Sequence, residues 1–64
     1  MDETYFLTAD ELAARWRRSP RTLERWRARG IGPAWIRIMG RVLYPRPAVE
    51  AEERRAMGIR ERTQ

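Results

Sequence analysis

The sequence predicts a mainly α domain with one small β-hairpin, and three observations predict it. Two apolar stripes at helical spacing each follow a strong N-cap signal, Thr8 with Glu11 and Ser19 with Pro20. Only a few residues separate the stripes, so their link is a tight turn. After the Gly32-Pro33 break, two short aliphatic and aromatic runs flank Met39-Gly40, a dipeptide suited to a two-residue hairpin turn.

Residues 1–7 are acidic and then aromatic, and no element is assigned to them. Thr8-Ala9-Asp10-Glu11 fits the capping box, in which each side chain satisfies the other's backbone N–H. A helix is expected from Ala9, with Ala9, Leu12, Ala13 and Trp16 on one face, stopping near Arg17 or Arg18. Ser19 as N-cap and Pro20 at the first helical position open a second helix over 20–29. Leu23 and Trp26 are its buried stripe, and Arg29-Gly30 supplies a terminal cation and a glycine cap. So short a link makes the two helices cross steeply around a small shared core, as in a helix-turn-helix. Trp35–Ile38 and Arg41–Tyr44 are the hairpin strands. Pro45 and Pro47 end the hairpin and start a weak third helix, 47–56. There Val49 and Ala56 are in phase, but Glu52 and Glu53 interrupt the apolar face. Gly58 is expected to stop that helix. The result is one domain over 1–56 and a polar, frayed tail over 57–64.

The charge is concentrated. Ten of the fourteen arginines fall between Arg15 and Arg46, where Glu24 is the single acid, while the whole chain has a formal net charge of +5. A polyanion is the natural partner for such a block, and nucleic acid is the commonest. Every basic residue is arginine; GC-rich codon usage and selection for forked donors both produce that pattern. A chain of this size buries roughly 60% of its unfolded surface, so the core is marginal. Its candidates are Tyr5, Phe6, Leu7, Leu12, Trp16, Leu23, Trp26, Ile31, Trp35, Ile36, Ile38, Val42, Leu43, Tyr44 and Val49. The chain has no cysteine and no histidine, which excludes thiolate nucleophiles, disulfides, the usual zinc sites and His-based acid–base chemistry. No enzyme, cofactor, metal or small-molecule substrate is expected. No apolar run approaches a membrane span, and Met-Asp-Glu does not open a signal peptide.

On a helical wheel for 20–29, Leu23 and Trp26 point one way. Arg21, Arg25 and Ala28 point nearly opposite, with Thr22 and Arg29 on one flank. A helix held by Leu23 and Trp26 therefore presents Arg21, Thr22, Arg25 and Arg29 outward, as major-groove recognition needs. Arginine bridges guanine O6 and N7, and threonine touches bases or phosphates. First-turn N–H groups, capped by Ser19, favour a phosphate. A solvated helix is the plainer alternative, but solvated faces usually alternate sign, and this one has Glu24 alone. Arg37 and Arg41 near the hairpin tip suggest a wing on the minor groove or backbone, although a hairpin that caps the core needs a polar tip anyway. Arg15, Arg17 and Arg18 either grip phosphates or complement the first helix's C-terminus. The three tryptophans could stack single-stranded bases, but Trp16 and Trp26 are in phase with the core, and Trp35 is read as core too. Glu50, Glu52 and Glu53 are read as a solvated face rather than a metal site. Ser19 is a cap rather than a nucleophile, since no base accompanies it.

These residues resemble the small winged helix-turn-helix proteins of the excisionase and MerR-like group, which includes phage excisionases and AlpA-like regulators. Leu7-Thr-Ala-Asp-Glu-Leu-Ala-Ala14 is similar to that family's opening helix, and Ser19-Pro-Arg-Thr-Leu-Glu-Arg-Trp26 to its recognition helix. Arg29-Gly-Ile-Gly-Pro33 resembles the following loop, and Ile36-Arg-Ile-Met-Gly-Arg-Val-Leu-Tyr44 the wing. The resemblance covers roughly residues 5–51. It implies double-stranded DNA as partner, base contacts from Arg21, Thr22 and Arg25, and wing contacts from Arg37 and Arg41. With Arg18, Ser19 and Arg29 these form the expected DNA-binding set. It departs at Glu52-Glu53, where family members commonly carry an aromatic and an aliphatic residue, and at Pro47-Ala48. Either the last helix packs loosely or its face meets another molecule. The expected role is a recombination directionality factor that binds tandem sites beside copies of itself and bends DNA for an integrase. The expected location is cytoplasmic and nucleoid-associated, in a bacterium or phage. The alternatives are a small transcription regulator of the same fold and a protein-binding antiactivator.

Overall fold

The computed structural model describes residues 5–62, with side chains described through Met57. Its elements are β1 (Phe6–Thr8), α1 (Ala9–Trp16), α2 (Pro20–Arg29), β2 (Ile36–Ile38), β3 (Arg41–Pro45) and α3 (Arg46–Arg62). The strands form one antiparallel sheet in the order β1-β3-β2. The described chain is mainly helical. No described helix is long and apolar enough to cross a membrane.

The capping box of α1 is complete. Thr8 Oγ1 accepts from the Glu11 N–H at 3.1 Å, and Glu11 Oε1 accepts from the Thr8 N–H at 2.9 Å. α1 ends in a Schellman motif: the Arg18 N–H reaches the Ala13 carbonyl at 2.8 Å and the Arg17 N–H the Ala14 carbonyl at 3.2 Å. That motif needs a left-handed residue, and Arg17 takes the role at φ 56°. α2 ends the same way, with Gly30 at φ 73° and the Ile31 N–H on the Trp26 carbonyl at 3.0 Å. The first cap turns the chain between α1 and α2, and the second turns it out of α2 toward the hairpin.

β1 was not expected from the sequence. Leu7 pairs with Tyr44 and Thr8 with Leu43, so the hairpin is part of a three-stranded sheet rather than a free two-stranded wing. The Arg46 N–H also bonds to the Tyr5 carbonyl at 2.6 Å. Antiparallel pairs alternate between bonded and non-bonded positions, so Phe6–Pro45 falls at a non-bonded one. The missing Pro45 donor costs no bond to β1, which is how a proline ends the central strand.

The core is Leu7, Leu12, Ala13, Leu23, Tyr44 and Val49, with Ala9, Trp16, Trp26 and Val42 packed against it. Every element except β2 contributes a buried residue. Enclosing a side chain such as Leu12 contributes about 1.5–3 kcal/mol. Several expected core residues lie at the surface instead: Tyr5, Phe6, Ile31, Trp35, Ile36 and Ile38 are exposed. Strand alternation explains three of them. Leu7, Val42 and Tyr44 face the helices, so Phe6, Ile36 and Ile38 fall on the outer face of the sheet.

α3 departs most from expectation. It starts at Arg46 and runs through Gly58 to Arg62. Gly58 does not stop it, because an interior glycine costs only about 1 kcal/mol relative to alanine. The frayed tail over 57–64 is therefore helical as far as 62, and residues 63–64 lie outside the described residues. Glu53 is no solvated acid either. Its carboxylate accepts from Arg15 Nε at 2.7 Å, Arg15 Nη2 at 2.9 Å and the Trp16 indole N–H at 2.6 Å. These bonds clasp α3 to α1. The Arg15 guanidinium holds the Glu53 carboxyl below the usual carboxylate range against the opposing effect of burial, with a lesser contribution from the Trp16 bond, and Arg15 is raised in turn.

Candidate nucleic-acid interface

α2 is fixed by Leu23, which is buried, and by Trp26, which packs against the core edge beside Trp16. That anchoring decides which way its arginines point. Arg21, Arg25 and Arg29 are exposed, at helical spacing along the free side. Among the described residues no acid lies within ion-pair distance of them, since the three ion pairs found there join Arg15 to Glu53, Arg46 to Glu50 and Arg55 to Glu52. Glu24 lies on the same helix but pairs with none of them.

Ser19 is the N-cap of α2. Its Oγ accepts from the Thr22 N–H at 3.3 Å and lies 3.1 Å from Thr22 Oγ1. The two hydroxyls are held together at the start of the helix, with Thr22 half-buried on the flank. Arg18 is not grouped with the outward arginines. It lines a cleft with Trp16 and Trp26, on the side of α2 that packs inward. Arg15, which either gripped phosphates or complemented a helix end on the sequence alone, is committed to Glu53.

The hairpin turn is tight, with Met39 at φ 51° and Gly40 at φ 78°. Positive φ at both central residues is what a type I′ turn requires. The register sends the two hairpin arginines to opposite faces. Arg37 pairs with Val42 on the helix side, and Arg41 pairs with Ile38 on the outer side. They do not form one patch. Arg41 has no ion-pair partner among the described residues.

The residue that sequence reasoning missed is Arg27. Its Nη1 donates to the Tyr44 hydroxyl at 2.8 Å, tying α2 to the central strand. Its guanidinium also lies 5.7 Å from the centroid of Trp35, and that of Arg37 lies 5.8 Å from the same ring. Trp35, 36% exposed, is thus a junction between α2 and the hairpin rather than a core residue. Each such cation–π contact contributes about 0.5–1 kcal/mol at exposed sites. No local sequence signal marks this group, because its members come from three separate segments.

Among the described residues the arrangement gives a helix face of arginines without ion-pair partners, a capped helix N-terminus and, at Arg41, a hairpin arginine that is likewise without one. It offers donors to phosphates and base edges, and among the described residues no cluster suited to a metal ion is found. No family model, no curated protein and no solved structure matches this chain.

Proposed function

We propose that this chain binds double-stranded DNA as a winged helix-turn-helix, with α2 in the major groove and the β2–β3 hairpin as the wing. The observation that carries this proposal is the sorting of α2: Leu23 and Trp26 anchor it, and Arg21 and Arg25 on the opposite side, with Arg29 on the flank, are exposed and without an ion-pair partner among the described residues. Unpaired arginines give up no internal partner on meeting a phosphate or a guanine. Arg21 and Arg25 are the base readers, Arg29 and the Ser19–Thr22 cap hold the backbone, and Arg41 supplies a wing contact to phosphate. Arg37 braces the wing through Trp35 and reaches DNA from the helix side of the hairpin.

A single module of this kind buries roughly 600–1,000 Å² on DNA and reads few bases. Neighbouring copies on tandem sites supply the missing specificity. That need, with the resemblance to excisionases, favours an accessory role in which the protein bends DNA for an integrase. The test is selection from a pool of random duplexes at moderate salt. Recovery of a motif repeated at helical-turn spacing is the expected result. A single unrepeated motif points instead to a compact transcription regulator. No enrichment overturns specific DNA binding.

A further inference from the structure

A second surface lies on the inward flank of α2, away from Arg21 and Arg25. The rings of Trp16 and Trp26, 6.2 Å apart and tilted by 49°, form one wall of a cleft. Ala56 and Met57 of α3 form the other. The cleft measures about 640 Å³ and is more open than enclosed. Its apolar lining is not used up by the core: both tryptophans are only half-buried, and Met57 is 59% exposed.

The rim is charged: Arg18, Glu52, Glu53 and Arg55 all line it, and both acids already have arginine partners. Arg18 has no ion-pair partner among the described residues. Arg55 has one loose pair, 3.9 Å from Glu52, with its side chain 64% exposed. Glu53 also borders the cleft, but Arg15 and Trp16 already occupy its oxygens. With Glu53 neutralised by Arg15 and Glu52 facing Arg55, Arg18 leaves an excess of one positive charge over an aromatic floor. A small ligand needs most of its surface enclosed, which an open cleft does not provide. A chain segment does not need this, because it seats one anchor and leaves the rest in water.

We propose that this cleft docks an acidic segment of a partner protein, with one bulky apolar side chain seated against Trp16, Trp26 and Met57 and flanking carboxylates paired with Arg18 and Arg55. The complementarity is twofold: apolar anchor to aromatic floor, and carboxylate to guanidinium, where charge-assisted and bidentate bonds are strongest. The cleft and the arginine face lie on different sides of α2, so this surface does not depend on the DNA-binding proposal.

The test is a titration of isotope-labelled protein with the capped hexapeptide EELFEE, followed through the three indole N–H resonances. The signals of Trp16 and Trp26 shift while that of Trp35 stays put. Arg18→Glu together with Arg55→Glu weakens binding about tenfold or more, as loss of charge-assisted pairs requires. The peptides KKLFKK and EEGSEE, lacking the acids and the anchor respectively, bind more weakly by a similar factor. Met57→Ser, at a position 59% exposed, also weakens EELFEE. Absence of any shift at millimolar peptide overturns the proposal. So do equal responses to all three peptides, or shifts centred on Trp35.

Discussion

Arg25 and Arg27 are two residues apart on α2 and have different roles. Arg27 is spent on Tyr44 and Trp35, whereas Arg25 is exposed and unpaired among the described residues. Under the proposed function, Arg25→Ala removes a bidentate base contact. Specific binding falls by about 1–3 kcal/mol and sequence preference relaxes. Competition binding against scrambled duplexes measures both effects, and no change in either would remove α2 from the major groove. Arg41→Ala behaves differently. It weakens binding to all sequences and lowers the salt slope by about 1; a change in which bases are preferred would instead make the wing a base reader. The outward direction of Arg21, Arg25 and Arg29 was legible in the sequence, because Leu23 and Trp26 set the phase of the helix. The fate of Arg27 was not, because its partners lie in other elements. Arg15 was ambiguous for the same reason: Glu53 is far along the chain.

Among the elements, α1 and α2 were legible to within a residue or two, because Thr8, Glu11, Ser19, Pro20 and Gly30 are local signals that the backbone uses as they stand. β1 was not, because three residues carry no periodicity and the strand exists only by pairing with β3. The turn between β2 and β3 was foreseen from Gly40, but not the positive φ of Met39. A non-glycine residue there costs roughly 1–2 kcal/mol, and Met39 is 95% exposed, so no packing offsets it. Met39→Asn creates the Asn-Gly pair that type I′ turns prefer. It should stabilise the protein by about 0.5–1 kcal/mol, read as a higher urea midpoint with an unchanged denaturant slope. A lower midpoint would mean that the methionine side chain holds the turn in some way that its exposure hides.

At the scale of the whole molecule, α3 is attached at its base by Val49 in the core and along its length by the Glu53 clasp. The folded-state pKa of Glu53 is depressed, so the stability from the clasp is present above the ordinary glutamate value of about 4.3 and is lost as pH falls through the lowered one. Glu53→Gln keeps an acceptor for the Trp16 indole but no charge for Arg15. At neutral pH it should cost about 1 kcal/mol, a modest figure because both partners are partly solvated. Its stability should also fall less steeply in acid than that of the parent. Parallel acid denaturation of the two proteins would assign the acid sensitivity to other carboxylates. The antiparallel closure of β1 on β3 has a further consequence, in time rather than space. α1, α2 and the hairpin form from neighbouring residues, but Leu7 has no partner until Tyr44 has been synthesised. At ordinary elongation rates the stretch from the end of α2 to β3 takes on the order of one to three seconds. Until β3 follows, β1 and the helix pair lack the strand that encloses their core, and closure of the sheet is the step that completes it.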